Sequence, residues 1–176
     1  MKKSILVLFS ALIFWSCNEP KKISEQEISA IKNKVDTLLT NWHKAAADAD
    51  FENYFGVIDS ISVIIGTDAT EYWTNQQFAE FCKPYFDKGE AWDFKTIERH
   101  VYVSNTADVV WFNELLDTWM GPCRGSGVLE KSGNDWKIKQ YIFSVTAPNE
   151  DILEVIKVKF KSDSVFMSKF NTSKIK

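Results

Sequence analysis

The apolar residues of this chain change their period at Ala91, and that change restricts the fold more than any other feature. Before Ala91 they recur at steps of three and four, as on a helix; after it they alternate, as on a strand. Ile28, Ile31, Val35, Leu38, Leu39 and Trp42 fall on one stripe of a predicted helix over Ser24–Ala47, with Ser24 and Glu27 at capping-box spacing. Asp48-Ala49-Asp50 ends it and can cap a short helix, Phe51–Tyr54. Val57–Asp59 and Ser62–Ile65 read as two short strands around a turn, closed by Gly66-Thr67-Asp68. Thr74 and Gln77 form a second capping box, opening a helix with Phe78, Phe81, Cys82, Tyr85 and Phe86 on one side. Pro84 is expected to kink it and Gly89 to stop it.

In the alternating half, Phe94, Thr96, Glu98, His100 and Tyr102 share one face of a long strand; Lys95, Ile97, Arg99, Val101 and Val103 share the other. Val109–Leu116 is apolar on both faces, which predicts cover on both. Gly121–Lys131 and Trp136–Val145 follow, joined by Ser132-Gly133-Asn134-Asp135. A last helix is expected from Glu150 to about Val158, then a polar tail over 159–176. Helices followed by a run of long strands define an α+β plan, in which the sheet must curl around the helices to bury their stripes.

The beginning of the chain carries an address. Lys2 and Lys3 precede an apolar run, Ile5–Trp15, broken only by Ser10, and Ser16-Cys17 follow. That is the layout of an export signal, too short for a membrane span. It resembles the signal of a bacterial lipoprotein, in which cleavage after residue 16 exposes Cys17 for lipidation; bulky Trp15 departs from the usual lipobox. Residues 1–16 are then the signal, 17–23 a tether and 24–158 the folded domain. The resemblance implies a lipid-anchored protein of the cell envelope, periplasmic or surface-facing, attached to a bacterial membrane through lipid on Cys17. A plain secreted protein or an uncleaved anchor is the alternative reading. Loss of Lys2 and Lys3 would make the formal charge of −3 more negative by two, a balance that gives no support for nucleic acid as a partner. Beyond Cys17 only Cys82 and Cys123 remain, and an oxidising compartment would permit their pairing; free buried thiols are the equal alternative. With two histidines and no Cys/His cluster, no metal site is expected, and no cofactor motif is present.

Three pieces in order, "IIGTDATEYWTNQQF" (64–78), "ADVVWFNELLD" (107–117) and "GVLEKSGNDWKIKQYIFS" (127–144), resemble the nuclear transport factor 2-like (SnoaL-like) superfamily over roughly Ser24–Pro148. The resemblance implies a cone-shaped, curved antiparallel sheet wrapped around N-terminal helices, the cystatin-like α+β roll. It also implies a pocket between the concave face and the first helix, and a homodimer formed sheet to sheet. Its members include isomerases, dehydratases, cyclases, assembly modules and binding proteins, so the scaffold does not settle a reaction.

Within that frame the aromatic content, seven Trp and thirteen Phe, must pack together or line a cavity. Trp73, Trp92, Trp111 and Tyr141 are candidate walls, with core packing as the competing role. Trp42 and Trp136 suit the core and Trp119 a rim. Arg124 stands in a strand with Gly121, Gly125 and Gly127. Such glycines make room for a ring, a backbone or a ligand. Arg124 and Arg99 could hold the acidic group of a small organic ligand through bidentate hydrogen bonds; alternatively Arg124 faces outward, toward an acid or across a dimer. The alternation leaves the sheet's phase open, so one of Arg99 and His100 points inward. Asp59, Glu114 and His100 are candidate bases for an isomerase or hydrolyase. The expectation is a small-molecule-binding domain for an apolar or aromatic ligand with an acidic group. Catalysis and a ligand-free interaction module are the alternatives.

Overall fold

A computed structural model describes residues 23–170. The expected export signal, Cys17 and most of the tether lie outside these residues. Helix α1 (Glu25–Ala47) starts where Ser24 accepts a hydrogen bond from the Glu27 amide. Asp50 caps α2 (Phe51–Gly56) by accepting from the Asn53 amide. Strand β1 (Ile58–Ile65) and the short β2 (Tyr72–Thr74) lead into α3 (Asn75–Asp87), whose Thr74–Gln77 capping box is complete. Four long strands follow: β3 (Lys95–Val103), β4 (Val109–Thr118), β5 (Gly121–Ser132) and β6 (Asp135–Val145). A 3-10 turn (Asn149–Asp151) opens α4 (Ile152–Ser168).

The six strands form one sheet in the order β2-β1-β6-β5-β4-β3. All neighbours are antiparallel except β1 and β6, which run parallel. That parallel pair corrects the expected hairpin over Val57–Ile65. Residues 58–65 form a single strand whose register slips between Ile58 and Val63. The Asp59 carboxylate accepts from the Ile61 amide at the irregularity, so a local turn sits inside the strand instead of ending it. Helix α3 runs through Pro84 to Asp87 and stops before Gly89, at φ +71°, as expected. One other boundary moves. Helix α4 continues about ten residues past the expected stop at Val158, into what reads from sequence as a tail.

The concave face holds the core. On β4, Val110, Phe112, Glu114 and Leu116 point inward; on β5, Cys123, Gly125, Gly127 and Leu129 do so; on β6, Trp136, Ile138 and Tyr141. Against them lie Val35, Leu39, Trp42 and Ala46 of α1, Tyr54 of α2 and Phe78, Cys82 and Phe86 of α3. Cys82 and Cys123 are both free and buried. The other face of β4 is not covered within one chain, contrary to expectation: Trp111 is 46% exposed and stacks on Tyr102 with ring centroids 5.8 Å apart.

Candidate functional site: a hollow behind the sheet and a buried carboxylate

Glycines on β5 set the shape of the concave face. In register, Gly125 lies between Glu114 of β4 and Phe143 of β6, and Gly127 between Phe112 and Tyr141. A Cβ on Gly125 would stand 2.4 Å from the Tyr141 hydroxyl and 2.8 Å from Glu114 Oε1. A Cβ on Gly127 would stand 2.6 Å from the Gln140 carbonyl oxygen and 2.7 Å from the Phe112 ring. The room these glycines leave is therefore occupied by the protein's own side chains, which lean across β5 from both neighbours.

The carboxylate that leans there is fully buried and fully engaged. Glu114 is 0% exposed. Arg99 Nε donates to Oε2 at 2.8 Å, and the Tyr141 hydroxyl donates to Oε1 at 3.0 Å. His43 Nε2 lies 2.9 Å from Oε1. A carboxylate can only accept, so Nε2 carries a proton there. Burial alone would raise the Glu114 pKa. The hydrogen bond from His43, then the charge and hydrogen bond of Arg99, outweigh it and hold the carboxyl below its ordinary value. Burial, followed by the Glu114 charge, pushes the Tyr141 hydroxyl well above the tyrosine range, so it remains a donor.

Arg99, with its side chain 2% exposed, is spent on the same network. Its Nη1 donates to the Asp36 backbone carbonyl, the Asp36 carboxylate and the Thr40 hydroxyl, and Nη2 donates to Thr96. The guanidinium thus ties α1 to β3 and β4.

Beside this network lies a hollow of about 240 Å³. Its walls include Trp73, Trp92, Tyr141, Phe94 and Phe143, with His43 and Trp42 from α1. Thr67, Glu71 and Trp119, the last 82% exposed, stand at its rim. Among the described residues no lysine or arginine lines it. A wider depression of about 560 Å³ lies outside α1 among Lys34, Asp48, Asp50 and Asn53.

Trp73, Trp92 and Tyr141 of the sequence-predicted walls thus come together. Arg99 points inward, but its charge is sealed behind Glu114. Arg124 and Trp111 lie on the convex face and do not reach the hollow. The phase of β5 is set by Phe112 and Glu114 next door: their bulk needs glycine beside it, which turns Arg124 outward. An acidic ligand group therefore finds neither arginine in the hollow. His100 is exposed beside Glu98, and Asp59 pairs with Lys139 at 3.3 Å away from the hollow. The residue missed from sequence is His43. It continues the line Val35–Leu39 by four residues, and a histidine on an apolar helical stripe was the available signal.

Comparison with known proteins agrees with this fold. The sequence pattern of the SnoaL-like domain matches residues 35–148, and the chain belongs to that family. No curated protein matches it by sequence. Its architecture is similar to an NTF2-like protein of unknown function from Pseudomonas putida KT2440, at 13% identity, TM-score 0.58, covering 69% of this chain and 91% of that one. It is also similar to the association domain of C. elegans CaMKII, at 17% identity and TM-score 0.57, covering 68% and 99%. A third likeness is to a cystatin-like domain of unknown function from Nostoc punctiforme, at 12% identity and TM-score 0.58, covering 82% and 99%. At these identities the likeness is one of fold.

Among the described residues no group of His, Cys, Asp and Glu is arranged to hold a metal ion, and no helix is long and apolar enough to cross a membrane.

Proposed function

We propose that this domain binds one small, mainly apolar or aromatic molecule in the hollow between α1 and the concave sheet. The observation that carries the reading is the hollow itself: about 240 Å³, walled by Trp73, Trp92, Phe94, Tyr141 and Phe143, in a chain with rings enough to have filled it. Aromatic walls with few polar groups suit a flat apolar ligand. Lipidation at Cys17 would hold the domain at a bacterial membrane, as the export-type start of the chain supports. A homodimer through the convex face would cover the stacked, exposed pair Tyr102 and Trp111.

One specific arrangement favours a second reading, proton-transfer catalysis on such a ligand. His43 lines the hollow and its Nε2 is held by a buried carboxylate, the geometry that fixes an imidazole for acid–base work. In this reading the base is His43, with Glu114 positioning it, in place of His100 or Asp59.

The test is the melting temperature with and without naphthalene, for the wild-type chain and for Thr67→Trp. Thr67 is exposed at the rim, so tryptophan there blocks entry without disturbing the core. Ligand binding to the folded state raises Tm. The wild type is expected to gain stability and the blocked variant not to. A gain equal in both would place the ligand elsewhere.

A further inference from the structure

We infer that the ligand is neutral and carries a hydrogen-bond donor, such as a phenolic or enolic hydroxyl, which His43 Nδ1 accepts. This rests on the reading of the hollow as a ligand site and names the chemistry it selects.

Three observations converge. First, the Nε2 proton of His43 is committed to Glu114, so in the neutral ring Nδ1 can only accept. Second, Nδ1 has no partner among the described residues. It is also not one of the sealed, unpaired polar atoms found there, which are Trp42 Nε1, Ser62 Oγ and Asn75 Oδ1. It is therefore open, and the space that His43 lines is the hollow. Third, among the described residues no lysine or arginine lines the hollow to meet an anion. Arg99 is matched by Glu114 and Asp36, Arg124 is on the far face, and the ionisable group at the rim is the acid Glu71.

A hydroxyl satisfies this arrangement at both ends. Its hydrogen goes to Nδ1, and its ring lies against Trp73 and Trp92. A carboxylate offers no hydrogen to Nδ1 and would enter an aromatic cavity without a counter-charge, which is costly. A bare hydrocarbon would fit but leave Nδ1 unsatisfied.

Calorimetric titration of the full chain at pH 8 with 2-naphthol, naphthalene and 2-naphthoate separates these cases without any mutation. The expected order is 2-naphthol tighter than naphthalene by roughly tenfold, the worth of one hydrogen bond, and 2-naphthoate weakest. The ¹⁵N resonance of His43 Nδ1 should move with 2-naphthol and stay in place with naphthalene. In His43→Phe the advantage of 2-naphthol over naphthalene should vanish while naphthalene still binds; should that variant fail to fold, the wild-type series and the resonance decide. Equal binding of 2-naphthol and naphthalene, or tightest binding of 2-naphthoate, would overturn the inference while leaving the ligand site intact. Binding of none of the three would remove the ligand-site reading and the inference with it.

Discussion

Gly125 and Glu114 are cross-strand neighbours, and the buried carboxylate occupies the space that a side chain at 125 would take. The pair explains why a strand carries glycine beside an arginine. The glycine serves the inward network, and the arginine is its outward neighbour.

Adding a methyl at either glycine should therefore destabilise the fold. Gly125→Ala meets the ends of Tyr141 and Glu114, which are pinned but are side chains; Gly127→Ala meets backbone at Gln140 and the Phe112 ring. Overpacking of this kind costs about 1–3 kcal/mol, and Gly127→Ala should lie at the upper end. Urea denaturation of the two variants checks the size and the order.

Removing the charge of Glu114 should cost more. Glu114→Gln leaves Arg99 and His43 around a group that cannot balance a buried guanidinium, and breaking one partner of such a pair costs roughly 3–5 kcal/mol. The double variant Arg99→Met/Glu114→Leu should recover part of that loss, because it removes both charges. Recovery is read from the same urea midpoints.

The pH dependence follows from the same carboxyl. Its folded-state pKa lies below its ordinary value of 4.5, so the folded protein holds the charged form more strongly than the unfolded chain does. The stabilisation is present above that ordinary value and is lost as pH falls through the lower, folded-state pKa. The stability difference between wild type and Glu114→Gln should be constant near neutral pH and shrink below about pH 4.5. Denaturation curves at pH 7, 5, 4 and 3 measure it.

The thiols should be silent in the native state. Burial pushes Cys82 up to about 12, and Cys123 is fully buried beside Thr118. A thiolate is the reactive form, so in a Cys17→Ser chain neither should react with a disulfide reagent at pH 8. Both should react once the chain is unfolded in denaturant. Absorbance of the released thiolate gives the count.

Much of this architecture is legible in the sequence because it is local. The stripe Ile28–Trp42, the Thr74–Gln77 box and the alternation in β3 to β6 each fit within a few turns or one strand. What stays hidden is non-local. The parallel pairing of β1 with β6 joins residues some eighty positions apart, and β2 is only three residues long. Phase is hidden for a related reason: Arg124 and Gly125 alternate equally well either way until Glu114 and Phe112 of the adjoining strand fill one side. His43 shows the third limit. Its place on an apolar stripe is visible, but its partners come from β4 and, through Glu114, from β3 and β6, and only the fold brings them together.

A crystal structure grown with 2-naphthol tests the central claim most directly. The account predicts the ring between Trp73, Trp92 and Tyr141, with its oxygen within hydrogen-bond reach of His43 Nδ1 and the Glu114 network unchanged. A hollow closed by the inward collapse of those rings, with the compound absent or bound on the convex face, would contradict it.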